Sequence, residues 1–106
     1  MVTAKQFDVC RITGLRAESA VDLAVIMQDD TLSHLATRVV APLVPVGDGF
    51  VVDRTTPMVE VEGIRYAVAV HLLMTIPARN LGALVATLEN HDRALKGAID
   101  MIFFGV

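Results

Sequence analysis

The stretch from Asn90 to Val106, NHDRALKGAIDMIFFGV, constrains the fold most. It predicts one helix from Asn90 to about Phe104, and most of what precedes it reads as strands. A sheet must therefore bury itself against this one apolar stripe. Asn90 is the expected N-cap, because its side-chain oxygen can accept from the free N–H groups of the first turn. Asp92 favours the positive end of the helix dipole. Asp92 with Lys96, and Lys96 with Asp100, have the spacing of ion pairs along one face. Gly97 is the single weak helix former inside.

The end of this helix carries the functional signal. At about 100° per residue, Ala94, Leu95, Ala98, Ile99, Met101 and Ile102 form a wide apolar stripe. Asp92, Arg93, Lys96 and Asp100 form the polar arc. Phe103 falls beside Asp92 and Lys96, and Phe104 beside Arg93 and Asp100. Two readings are open. Either the helix holds and the two rings form an exposed contact site, or the last turn unwinds and both rings tuck under the sheet.

Before the helix, Gln6 to Ile12 reads as a first strand, Thr13 to Ser19 as a loop, and Val21 to Met27 as a second strand. Val21, Leu23, Val25 and Met27 share one face of it. Gln28 to Thr37 reads as a loop or short turn, and Arg38 to Val44 as a third strand. Pro42 lacks a donor, so this strand is expected to be an edge there or to bulge. Pro45 to Pro57 is an irregular excursion turning at Gly47-Asp48-Gly49, with Phe50 to Val52 as a possible short strand of a small second sheet. Met58 to Val61 and Ile64 to Leu72 form a hairpin across Glu62-Gly63. Leu73 to Pro77 continues or bends the last of these. Arg79 to Leu88 has helical spacing at Leu81, Leu84, Val85 and Leu88, and Gly82 points to a turn or short helix. The sum is a single domain spanning 1–106, a strongly bent antiparallel sheet packed on the helix stripe.

Composition narrows the function. Apolar residues make up 54% of the 106, and mean hydropathy is +0.57. That is rich for a small domain with much surface, and it suggests cover by another subunit. The longest apolar run, Tyr66 to Met74, is broken by His71 and is too short for a membrane span. The opening residues lack a signal-peptide core. The single cysteine, Cys10, fits a reducing cytoplasm and a buried apolar role. The net charge of −3 and scattered basic residues disfavour nucleic-acid binding. A protein or small-molecule partner is favoured.

No catalytic or metal constellation stands out. Ser33-His34 lacks the turn of a nucleophile elbow. His71 sits in an apolar strand, where a core or interface histidine is expected. His91 is expected to be solvated in the first helical turn. The histidines and Cys10 lack metal-ligand spacing, and Gly47-Asp48-Gly49 lacks the residues of a phosphate loop. Asp29-Asp30 and Glu60/Glu62 read as solvated carboxylates. Neither a cofactor nor a metal is expected.

The closing residues Ala98 to Val106, AIDMIFFGV, resemble the terminal signature of the CcdB family of toxins, Ala-Ile-Asn-Leu-Met-Phe-Trp-Gly-Ile. Gln6-Phe7-Asp8-Val9 is similar to the family's opening. Gln28, Asp30, Arg38, Val40, Pro42 and Leu43 resemble positions of its second and third strands, and Pro77 matches the proline that closes its last strand. The resemblance implies an SH3-like barrel with a five-stranded antiparallel sheet, a small second sheet and a C-terminal helix. It implies a cytoplasmic homodimer that poisons DNA gyrase without doing chemistry, by holding the cleaved complex between gyrase A subunits. A cognate antitoxin with a flexible acidic tail is implied as a second partner. Carried over by position, Phe104, Gly105 and Val106 match the residues tied to poisoning, and Phe103 and Asp100 match helix residues near the contact. Thr31 and Leu32 match a loop pair that touches gyrase.

Three departures are visible. Phe104 stands where the family has tryptophan, Thr31-Leu32 where it has two isoleucines, and Asp100 where it has asparagine. A phenyl ring stacks on an arginine less strongly than an indole, by about 1 kcal/mol. Two alternatives remain. One is a Kid/MazF-type endoribonuclease, with Arg38 and His71 as its candidates. The other is an inactive relative that binds only an antitoxin.

Overall fold

The computed structural model describes residues 4–14, 21–49 and 51–106. Its strands are β1 (Asp8–Ile12), β2 (Leu23–Ile26), β3 (Thr37–Pro45), β4 (Met58–Val61), β5 (Ile64–Val68), β6 (Met74–Pro77) and β7 (Leu81–Thr87). The helix α1 (Asp92–Phe104) follows. All pairings are antiparallel, in the order β4-β5-β3-β2-β1-β7, with β6 also on β3. This is the expected α+β class: an antiparallel sheet curled into a half-barrel with one C-terminal helix, consistent with an SH3-like barrel. The strands expected as a five-stranded sheet and a small second sheet form one hydrogen-bonded sheet of seven.

Strand alternation builds two cores, one on each face of the sheet. Val9, Leu23, Val25, Ala41 and Leu43 point to the face that α1 covers with Leu95 and Ala98. Their neighbours Cys10, Ala24, Ile26 and Val40 point the other way and pack with Ile76. Part of the apolar excess is thus consumed inside the chain itself, because the sheet is buried on both faces. Burial raises the pKa of the Cys10 thiol, with the nearby Asp8 charge adding to it. The cysteine is therefore the apolar core residue expected.

The hairpin turn is as read. Glu62 (φ 52°) and Gly63 (φ 78°) both take left-handed backbone between β4 and β5, the geometry that matches strand twist.

Pro42 departs from expectation. It lies in an interior strand, opposite Ala24 of β2, rather than on an edge. On its other side β3 pairs first with β6 through Thr37 to Val40, then with β5 from Leu43. Pro42 falls in the gap, where the chain forms a 3-10 turn at Val70–Leu72. Its carbonyl still accepts from Ala69 N at 2.9 Å, and its missing donor faces the break between two partners. The same turn lifts His71 out of the sheet to an exposed position, so it is not a core histidine.

Arg79 to Leu88 is also corrected. Leu81 to Thr87 is a strand paired to β1, preceded by a 3-10 turn at Ala78–Asn80. Two register shifts interrupt the pairing, and such bulges disguise the two-residue period as a helical one. Gly82 lets the strands close in, since a Cβ there would lie 3.3 Å from Arg11 O and 3.2 Å from Thr13 Cγ2.

At the helix start, Asn90 is not the N-cap. It lies inside a 3-10 turn, Glu89–His91, so it lacks the extended backbone a cap needs. His91 occupies the cap position without a side-chain bond and is half-buried rather than fully solvated. Of the two expected ion pairs, Asp92–Lys96 is the one that forms, at 3.5 Å. The Lys96 ammonium also sits 6.0 Å above the buried Phe7 ring. Of the expected loop Thr13 to Ser19, residues 15–19 lie outside the described residues, as does Phe50. Val51 and Val52 are exposed and not in a strand.

Two outcomes test this account. Leu95→Ala should cost about 2–5 kcal/mol in chemical unfolding, since the side chain is fully enclosed. Gly63→Ala should cost about 1–2 kcal/mol, the penalty of a Cβ in left-handed backbone, while Gly47→Ala, at a position with open space and no positive φ, should cost less.

Candidate functional site

The burial of Leu95 dictates where the last ring goes. Phe104 lies nine residues on, about 900° or half a turn out of phase at 100° per residue. If the helix holds, a buried Leu95 therefore sends Phe104 to the opposite side. The helix does hold. Gly105 adopts left-handed backbone (φ 71°, ψ 22°), and its N–H donates to Met101 O at 3.0 Å. This closes one open carbonyl of the last turn, and glycine takes that conformation without steric penalty.

The rings accordingly do not tuck under the sheet. Phe103 is 60% exposed, Phe104 73% and Val106 70%. The ring centroids are 6.5 Å apart at 52°, a tilted contact that makes one apolar surface of the two. Ile99 and Ile102, on the stripe below, are partly buried against the core. Asp100 is exposed on the helix, so the aromatic patch has a carboxylate at its border.

Thr31 and Leu32 are exposed in a 3-10 turn, Asp30–Leu32. Asp29 caps this turn, its Oδ1 accepting from Thr31 N at 2.8 Å and Thr31 Oγ1 at 2.7 Å. These bonds hold the Asp29 carboxyl below its usual pKa. Asp30 Oδ1 accepts from Gln6 N at 2.7 Å. The paired aspartates thus build the turn. Arg38 finishes it, donating to the carbonyls of Ser33 at 2.6 Å, of Thr37 at 2.9 Å and of Leu35. None of these bonds reaches the C-terminal tail. The structure places Phe103, Phe104, Gly105 and Val106 at the end of α1, and Thr31 and Leu32 in a turn braced by its own hydrogen bonds.

Arg54 is a residue that sequence reasoning missed. Its Nη2 donates to the Val106 main-chain oxygen at 2.6 Å, across 52 positions of sequence. It also lines an open cleft of about 350 Å³ between the excursion and the helix, with Val52, Pro57 and Met58 on one side and Ala94 and Gly97 on the other. No motif surrounds Arg54, and an arginine in an irregular stretch carries no signal of its target. Among the described residues, no three His, Cys, Asp or Glu side chains cluster as metal ligands. No helix there is long and apolar enough to cross a membrane.

Three solved structures share this architecture. "Crystal structure of Mtb toxin" is 23% identical, with a TM-score of 0.70 over 90% of this chain and 99% of that one. "Mycobacterium tuberculosis toxin MazF-mt6" is 22% identical, with a TM-score of 0.72 over 91% and 95%. "Endoribonuclease in complex with its cognate antitoxin from Mycobacterial species" is 15% identical, with a TM-score of 0.62 over 96% and 94%. At these identities the likeness is one of fold. No curated protein sequence matches the chain. The family model described as CcdB protein matches residues 6–105, nearly the whole length. By that match, the chain belongs to the CcdB family.

Proposed function

We propose that this protein is the toxin of a toxin–antitoxin pair, and that it acts without chemistry by docking its C-terminal patch on the gyrase A subunit. The observation that carries the reading is the pair of exposed rings, Phe103 and Phe104, on a helix that stays wound to its last turn. Rings of this size with no cover in the protomer favour burial against a larger surface. Family membership supplies the partner class. The homodimer, the trapping of cleaved DNA and the antitoxin partner belong to the same proposal. The dimer draws support from further exposed apolar side chains, among them Ile64, Leu72 and Leu84. Thr31 and Leu32, held on their braced turn, provide a second contact.

A ribonuclease reading has the fold likeness in its favour, since one of the similar structures is described as an endoribonuclease. Its two candidates are poorly arranged for that work. Phosphate recognition favours an open guanidinium fork, and Arg38 spends three of its five donors on the main-chain carbonyls of Ser33, Leu35 and Thr37, which leaves two. His71 is exposed in the 3-10 turn of Val70–Leu72, and among the described residues the bonds of Arg38 go to Ser33, Leu35 and Thr37 rather than to it.

The test is to add the purified protein to gyrase with DNA and, separately, to single-stranded RNA. Stabilised cleavage complexes with intact RNA are expected; RNA fragments without gyrase effects would favour the nuclease. Deleting Phe104 to Val106 should leave the unfolding midpoint nearly unchanged, because these residues are exposed, and should abolish gyrase binding. A folded truncation that still inhibits supercoiling contradicts the proposal.

A further inference from the structure

We propose that Arg54 is a positioning residue that holds the C-terminal tail in its docking orientation. The inference rests on the contact reading above for its functional consequence, but the tether itself stands on geometry. Beyond the helix, Gly105 donates its N–H to Met101 O. The Val106 main-chain oxygen receives a charge-assisted bond from Arg54 Nη2 at 2.6 Å, a short contact of the stronger kind. Val106 is otherwise largely in solvent at 70% exposure, and among the described residues this bond links it to a segment far from it in sequence. Without it, among the described residues, the hydrogen bond left to Gly105 and Val106 is the one from Gly105 N to Met101 O, and an exposed segment with so little holding it moves freely.

Arg54 can act as a tether because the backbone that carries it is itself fixed. Asp53 Oδ1 accepts from Thr55 N and Thr55 Oγ1, both at 2.7 Å, and from Thr56 N at 3.1 Å. Asp53 and Thr56 also form a backbone bridge. The turn runs directly into buried Pro57, whose carbonyl accepts from Val68 N at 2.8 Å. The Thr55 and Thr56 donors hold the Asp53 carboxyl below its usual pKa, so the turn keeps its charged form through neutral pH. A chain of hydrogen bonds therefore leads from β5, through the Asp53–Thr56 turn and Arg54, to Val106. It fixes Val106, two residues beyond the second ring. A tail already ordered before docking does not have to be ordered on docking, and that difference appears in affinity.

Two measurements decide it, and they separate this proposal from the contact reading. The first is amide relaxation by NMR on the free protein. In the wild type, Gly105 and Val106 should be nearly as ordered as Leu95. In Arg54→Ala they should become mobile on the fast timescale while Leu95 and Ala98 stay unchanged, and Arg54→Lys should restore much of the order. Tail amides equally rigid in Arg54→Ala overturn the tether. The second is titration with the gyrase A subunit. Where the wild type binds, Arg54→Ala should bind roughly tenfold more weakly, the scale set by ordering about one residue; equal affinity overturns the positioning role. A wild type that does not bind gyrase A defeats the contact reading, and the relaxation data then judge the tether alone.

Discussion

The packing of Leu95 and Ala98 against the face of the sheet that carries Val9, Leu23, Val25, Ala41 and Leu43 is the interaction on which the rest depends. Both side chains are fully buried, and together they fix how α1 is rotated about its own axis. Once that rotation is set, helical geometry leaves no freedom for the last turn. Phe104 must face away from the core because it lies about half a turn out of phase with Leu95. Burying Phe104 would require breaking the final hydrogen bonds of the helix or turning Leu95 to solvent. A buried leucine contributes about 1.5–3 kcal/mol, so rotation of the intact helix is disfavoured. The exposed patch is thus a consequence of the core rather than a separate device.

The tail is then finished by local chemistry at three positions. Gly105 stops the helix in left-handed backbone and keeps the last turn wound. Arg54 reaches the main chain of Val106 from a turn braced by Asp53. Asp100 places a carboxylate at the edge of the rings. The second expected contact region, Thr31 and Leu32, is organised by different groups: Asp29 as a cap, Asp30 to Gln6, and Arg38 to three carbonyls. Each region is held by its own hydrogen bonds. That suits a protein that presents preformed surfaces to a partner more than one that folds around a substrate.

Much of this was legible from sequence because local and long-range preferences agreed. The Glu62-Gly63 turn demands positive φ, and the flanking residues alternate, so the hairpin reads directly. The stripe of α1 is regular enough to give its buried residues and the exposure of its last ring as one of two outcomes. The misreadings have a common cause: tertiary context decided them. The period of β7 is broken by bulges against β1. Pro42 is tolerated in an interior strand because its neighbour changes from β6 to β5 at that point, which no property of residues 38–44 reveals. Asn90 has a capping side chain, yet it is wound into the 3-10 turn Glu89–His91 and falls one residue short of the cap position. Arg54 was invisible because its partner is the backbone of a residue far along the chain.

The most direct measurement is hydroxyl-radical footprinting of Phe103 and Phe104, read by mass spectrometry with and without the gyrase A subunit. The account predicts heavy modification of both rings in the free protein and protection of both when the subunit is added. Rings already shielded in the free protein, or labelled equally in the presence of saturating gyrase A, would contradict it.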